Sequence, residues 1–137
     1  MTILVVDDSA SVRDRLVQIL SALPGVDCVA TASHAAEAVQ MLQREPPAAI
    51  ILDVHMPGGS GLQVLEAIQA RRDEILAIVM TNDPTPHWRE ACRRNGADAF
   101  FDKSKELELA VDLIGRAARV GSSDAAGLES QAPPDTR

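Results

Sequence analysis

Cysteine is scarce in this chain. Cys28 and Cys92 are the only two, and they have no metal-type spacing, so reduced thiols of a cytoplasmic protein are expected. The three histidines, His34, His55 and His87, are scattered and form no ligand set. No apolar run approaches the length that crosses a bilayer, and no signal-peptide pattern precedes the first strand, so a membrane partner is not expected. Basic charge is in deficit: 13 Lys and Arg face 20 Asp and Glu, a formal net charge of −7. That balance argues against direct binding of nucleic acid by this chain. Lysine is rarer still, since Lys103 and Lys105 are the only two among the basic residues. No internal repeat is visible.

What remains is a chain of 137 residues, 46% hydrophobic, which suits one globular domain with a core that needs no staples. Its pattern alternates. Ile3-Leu4-Val5-Val6 reads as a short buried strand followed by Asp7-Asp8-Ser9, where Asp8 or Ser9 can cap a helix carrying Val12, Leu16, Ile19 and Leu20. Val26 to Thr31 reads as a second strand. Ser33 is placed to cap the next helix, with Ala35, Ala38, Val39 and Leu42, which Pro46-Pro47 stops. Ala48 to Leu52 is a third apolar run and ends on Asp53, ahead of the turn-forming stretch Val54 to Gly61. A third helix then carries Gly61, Val64, Leu65 and Ile68, with Arg71-Arg72 at its end.

Ile75 to Met80 is the fourth strand, closed by Thr81-Asn82-Asp83-Pro84. The helix from about Pro86 to Asn95 offers only Trp88, Ala91 and Cys92 as an apolar stripe, and Gly96 suits its C-terminal end. Asp98 to Phe101 is the fifth strand, Lys103 follows it, and Ser104 is placed to cap a last helix reaching about Val120. On that helix Leu107, Val111, Ile114 and Ala118 should face a sheet. Leu109, Leu113 and Val120 form a second stripe suited to a partner or a second copy of the chain. From Gly121 to Arg137 there is no periodicity and a disordered tail is expected, so residues 1–120 are read as the domain.

Strands alternating with helices imply a parallel sheet covered on both faces, whose ligands bind beyond the carboxyl ends of the strands. Asp7, Asp8, Asp53, Thr81 and Lys103 all fall there. Three carboxylates together repel one another unless a cation joins them, and such oxygen ligands suit a hard divalent ion such as Mg²⁺ or Mn²⁺. With an ammonium and a hydroxyl beside them, they compose a constellation for phosphoryl transfer in which Asp53 is the nucleophile. Where this sequence needs generic positive charge it uses arginine, so a lysine at a strand end suggests a site that wants a point charge. Each residue alone has a plainer reading: Asp7 and Asp8 as helix caps, Thr81 as a turn hydroxyl, Lys103 as a solvated lysine, Phe100 and Phe101 as core.

Taken in order, these residues resemble a known family. Asp7-Asp8 after the first strand, Asp53 followed by Met56-Pro57 and Gly61, Thr81 after the fourth strand, and Gly96 to Lys103 together look like the receiver domain of bacterial response regulators, CheY-like modules of two-component signalling. The resemblance implies a flavodoxin-like (βα)5 fold, a doubly wound parallel sheet in the order 2-1-3-4-5. It implies Asp53 as phosphoacceptor and Asp8 as a direct ligand of Mg²⁺. Asp7 would act through metal-bound water, and the His55 backbone carbonyl would be a further ligand. Thr81 and Lys103 would meet the phosphoryl oxygens, and Phe100 would be the aromatic whose rotamer follows Thr81. His55 and Asp83 occupy positions that adjust the lifetime of the phosphorylated state, and the His55 imidazole is expected to face solvent. Two departures stand out. Ser104 replaces the usual cis proline, a bond that would cost about 3 kcal/mol or more in cis without proline, and Asn82 replaces a small residue beside Thr81.

The expectation is a stand-alone receiver, not an enzyme in its own right. It would take phosphate from a sensor histidine kinase or phosphotransfer protein and signal through protein contacts at the fourth helix, fifth strand and fifth helix, a homodimer included. The rival readings are an adaptor with a vestigial pocket, an aspartyl-phosphate phosphatase, for which the Asp7-Asp8 spacing is wrong, and a fragment of a DNA-binding regulator.

Overall fold

The computed structural model describes residues 1–56, 59–71 and 74–122. Five parallel strands form one sheet: β1 (Thr2–Val6), β2 (Cys28–Ala32), β3 (Ala49–Leu52), β4 (Leu76–Thr81) and β5 (Ala99–Asp102). Their spatial order is β2-β1-β3-β4-β5, the doubly wound order that the family resemblance implies. Five helices alternate with them: α1 (Ala10–Ser21), α2 (Ala35–Arg44), α3 (Gly61–Arg71), α4 (Pro86–Arg94) and α5 (Leu107–Ser122). A two-residue hairpin, His55–Met56 against Gly59–Ser60, sits between β3 and α3. No described helix is long and apolar enough to cross a membrane.

The side-chain alternation of each strand divides the core in two. Ile3, Val5, Ile51, Ile78 and Met80 point to the face covered by α1 and α5, where Leu16, Leu20, Ala110 and Ile114 meet them. Leu4, Val6, Ile50, Leu52, Val79 and Phe100 point to the other face, against Ala38 and Leu42 of α2, Val64, Leu65 and Ile68 of α3, and Cys92 of α4. Strands buried on both sides read as continuous apolar runs, and β1 and β3 do so in the sequence. Full burial of one such side chain is worth about 1.5–3 kcal/mol.

Several local expectations are corrected. The second strand starts at Cys28 and ends at Ala32 rather than spanning Val26 to Thr31. His34, not Ser33, caps α2: its Nδ1 accepts the Glu37 N–H at 3.2 Å. Glu37 reaches back instead to the Ser33 N–H at 2.9 Å, and that backbone bond holds its carboxyl below the usual range. Ser104 does not cap α5, because its hydroxyl and N–H both go to Asp102 Oδ1, at 2.8 and 2.9 Å. Those bonds hold the Asp102 carboxyl low as well, and α5 begins three residues later. Along α5 the buried line is Ala110, Ile114 and Ala118, with Leu107 and Val111 only partly covered. Leu113 leans on the core, which leaves Leu109 and Val120 as the exposed apolar residues of the second stripe. Among the described residues no peptide bond is cis, so Lys103–Ser104 is trans. The helix continues past Val120 to Ser122, and the tail expected from Gly121 to Arg137 otherwise lies outside the described residues, as do Pro57 and Arg72.

Gly96 follows α4 at φ +93°, where a Cβ would also lie 2.9 Å from the Gln69 amide nitrogen. Gly61 has a different constraint. A Cβ there would stand 2.6 Å from Leu52 Cδ1, 2.8 Å from the Asp53 carbonyl oxygen and 2.9 Å from Val54 Cα. Gly61→Ala is therefore expected to destabilise by about 1–3 kcal/mol and to displace the segment bearing Asp53; denaturant unfolding checks the first effect. The two thiols should also differ. Cys28 is exposed, whereas Cys92 is fully buried and burial pushes its thiol up to about 11. A thiol-reactive dye at neutral pH should label Cys28 in the native protein and Cys92 only after unfolding.

Candidate functional site

Four strands end at one rim of the sheet and deliver polar groups to it. β1 ends at Val6, and Asp7 follows, its N–H bonded to the Ala32 carbonyl at 3.1 Å. β3 ends at Leu52, and the Asp53 N–H bonds the Val6 carbonyl at 3.0 Å. These backbone bonds carry both aspartates one step beyond the ladder, where they are nearly buried, at 4% and 5% exposure. Asp8 is exposed beside them. One carboxylate oxygen from each of Asp7, Asp8 and Asp53 lies within 4.8 Å of the other two.

Lys103 reaches into this cluster from beyond β5. Its N–H donates to the Thr81 carbonyl at 2.8 Å, and its Nζ bonds Asp7 Oδ2 at 2.9 Å and Asp53 Oδ2 at 2.8 Å. The ammonium is largely buried, which disfavours its charge, but the bonds and charges of Asp53 and Asp7 outweigh that and hold its pKa above the ordinary value. The other oxygens of the two buried carboxylates accept backbone donors: Ser9 N–H to Asp7 Oδ1 and His55 N–H to Asp53 Oδ1, each at 2.9 Å. Among the described residues every fully buried side-chain nitrogen or oxygen has a partner.

Three carboxylates against one ammonium leave the cluster negative. A second cation of hard character fits that donor set, with oxygens that retain unused lone pairs and one carboxylate facing solvent. Thr81 ends β4, fully buried, and its Oγ1 accepts the Asp83 N–H at 3.0 Å, which leaves the hydroxyl proton free to donate elsewhere. Phe100 is already inward, at 9% exposure. Arg89 of α4 lies over its ring, 4.7 Å from the centroid, and donates to its carbonyl at 3.4 Å.

The expected residues Asp7, Asp8, Asp53 and Lys103 are thus brought together, and Thr81 ends the strand between those bearing Asp53 and Lys103. The His55 imidazole is half-exposed but does not simply face solvent, since it contacts Asp83 and Trp88. Sequence reasoning missed Arg13, whose Nη1 donates to the Asp7 carbonyl at 2.7 Å from the first turns of α1. It sits six residues after Asp7, a spacing that lets a long side chain fold back over the β1–α1 turn.

The response regulator receiver domain profile matches residues 3–114. The protein-glutamate methylesterase/protein-glutamine glutaminase of the group 3 operon of Rhodopseudomonas palustris is 36% identical over 113 residues, 82% of this chain and 28% of that protein. Response regulator MprA of Mycobacterium leprae is 36% identical over 108 residues, 79% of this chain and 46% of its own. The chain therefore spans less than half the length of these curated relatives. Among solved structures, the response regulator protein TrrA of Thermotoga maritima, in complex with Mg²⁺-BeF, is 31% identical with a TM-score of 0.69, over 82% of this chain and 95% of that one. The response regulator domain of Thermotoga maritima CheB is 26% identical with a TM-score of 0.73, over 87% and 93%. With the match covering four-fifths of its length and the sheet wound in the same order, the chain belongs to the response regulator receiver domain family.

Proposed function

We propose that this receiver accepts a phosphoryl group on Asp53 from a sensor histidine kinase or phosphotransfer protein in the cytoplasm. The observation that carries the reading is the Asp53 carboxylate, held at the end of β3 with a lysine on one oxygen and two further aspartates beside it. A carboxylate oxygen of Asp53 bonds to phosphorus, the bond from phosphorus to the donor breaks, and the donor leaves with that electron pair. Lys103 passes from the carboxylates to the new phosphoryl oxygens, and the Thr81 hydroxyl donates its free proton to one of them. Asp8 and Asp53 would hold Mg²⁺ or Mn²⁺ directly, with Asp7 through water and the His55 carbonyl as a further ligand. When bound, the ion neutralises charge on the phosphoryl oxygens.

The new group adds about −1.5 to −2 charges at the rim. Output is proposed at the face built by α4, β5 and α5. A groove of about 540 Å³ lies there, lined by Phe101, Leu109 and Leu113 with Arg89, Arg93 and Arg116 around them. An apolar centre with a charged rim suits a downstream protein or a second copy of the chain. The test is intact mass after incubation with acetyl phosphate and Mg²⁺. A gain of one phosphoryl group supports the reading; no gain from any phosphodonor, together with no Mg²⁺ binding, overturns it.

A further inference from the structure

Lys103 carries the positive charge of the site, yet it stands on the loop beyond β5. The Thr81 carbonyl takes its N–H at 2.8 Å, which fixes the backbone at one point. The rest of the fastening comes from the residues on either side. Asp102 turns its N–H, its carbonyl and one carboxylate oxygen toward residues 104–106. Oδ1 accepts the Ser104 N–H at 2.9 Å and the Ser104 hydroxyl at 2.8 Å. The carbonyl accepts the Lys105 N–H at 3.2 Å and the Glu106 N–H at 2.7 Å. The Asp102 N–H donates to Glu106 Oε1 at 2.8 Å. Lys103 is spanned by these bonds and takes part in none of them. The Glu106 carbonyl then accepts the Leu109 and Ala110 N–H groups at 3.0 and 3.3 Å, so the residue that closes the loop also starts α5.

We propose that Asp102, Ser104 and Glu106 are positioning residues, a hydrogen-bonded clip that aims the Lys103 ammonium at Asp7 and Asp53 and so sets the rate of phosphoryl uptake. The proposal rests on Asp53 being the phosphoacceptor. An ammonium on a flexible stem is aimed by where its Cα is held, and this one meets two carboxylates at 2.9 and 2.8 Å. The clip belongs to a trans Lys103–Ser104 bond. Serine gives Asp102 Oδ1 an N–H and a hydroxyl, and a proline in its place would give neither. The Ser104 bonds also hold the Asp102 carboxyl below its usual range, so the acceptor is ionised at neutral pH and the bonds are charge-assisted.

The first arm of the test reads the ammonium itself. Lys103 and Lys105 are the only lysines, so protein grown with isotopically labelled lysine has two ammonium groups to follow by NMR, and Lys105→Arg assigns them. Hydrogens of a buried, bonded group exchange slowly with water, so Lys103 should give an ammonium signal at neutral pH in wild type. Asp102→Ala and Glu106→Ala should weaken or abolish it while circular dichroism shows an intact fold. Asp102→Asn and Glu106→Gln, whose amide oxygens still accept the same donors, should keep it. Ser104→Ala, at an exposed position, should weaken it and gives the reading if an alanine variant fails to fold. Side chains that merely stabilise the loop would lower the melting temperature and leave the signal in place, which overturns the proposal.

The second arm measures phosphoryl uptake from acetyl phosphate and Mg²⁺ by intact mass. Asp102→Ala and Glu106→Ala should take up phosphate about tenfold more slowly than wild type, as misaimed groups do. Asp102→Asn and Glu106→Gln should stay near the wild-type rate. Mg²⁺ should bind the alanine variants no more weakly, because an ammonium that leaves the carboxylates stops competing with the ion. Wild-type uptake in both alanine variants, or Mg²⁺ binding lost along with uptake, overturns the proposal. A wild type that takes no phosphate overturns the role of Asp53 and with it the effect on rate, whereas the first arm still decides the aim of Lys103, so the two failures are told apart.

Discussion

Asp53→Asn is expected to gain no mass on incubation with acetyl phosphate and Mg²⁺, under conditions in which wild type gains one phosphoryl group. The loss should be complete, because an amide oxygen is a poor nucleophile. The variant should still fold. Its amide oxygen can keep the His55 N–H, while its NH₂ turns a donor toward the Lys103 ammonium, which stays bonded to Asp7 alone. Losing that contact costs stability, and removing one of three crowded carboxylates returns some of it. Circular dichroism and thermal unfolding would show whether the fold persists. A phosphate adduct on the variant would move the acceptor role to another residue.

Lys103→Met carries the largest expected effect on stability. Asp7 and Asp53 are almost fully buried and share this one ammonium. Removing one partner of a buried pair leaves uncompensated charge and costs about 3–5 kcal/mol, which for a domain of this size lowers the melting temperature by roughly 6–20 °C. The pH argument has the same sign. Burial lowers the Lys103 pKa, its bonds and charges with Asp53 and Asp7 raise it by more, and the folded value lies above the ordinary 10.5. The stabilisation is then fully present below the ordinary value and is lost only as pH rises through the folded one, so all of it is at stake at neutral pH. Mg²⁺ should restore part of the loss and stabilise the variant more than wild type, because a bound cation takes over the missing charge. Melting curves with and without Mg²⁺ measure both effects; a variant as stable as wild type in either condition would show that Lys103 is not the counter-charge.

The residues gathered at the rim were legible because a parallel sheet forces them together. Once Ile3-Leu4-Val5-Val6 and Ala48 to Leu52 read as buried strands, Asp7 and Asp53 had nowhere else to go than one end of the sheet. The helix starts were harder to read. Ser33 and His34 compete for one cap, and sequence preference favours serine, but Glu37 engages both the hydroxyl and the N–H of Ser33. Ser104 failed as a cap for a similar reason, since Asp102 two residues earlier takes its hydroxyl. On α5 the small side chain of Ala110 carries little hydrophobic signal, yet it belongs to the core cluster with the strand residues and is fully buried. The least legible features join separate elements through side chains: Trp88 to His55, Arg89 to Phe100, Arg13 to the Asp7 carbonyl. Periodicity within one helix contains no information about them.

Lys103 lies 96 residues from Asp7 and 50 from Asp53 along the chain. As synthesis proceeds from the N-terminus, the two carboxylates emerge early, and the ammonium that balances them arrives only after β4 and α4 have been made. A chain interrupted before β5 would hold Asp53 without the charge that steadies it. Closing so long a loop is also among the slower steps of folding. On the role proposed for Asp53, a copy interrupted before β5 would be unable to accept phosphate, because the charge that steadies its carboxylate has not yet been made.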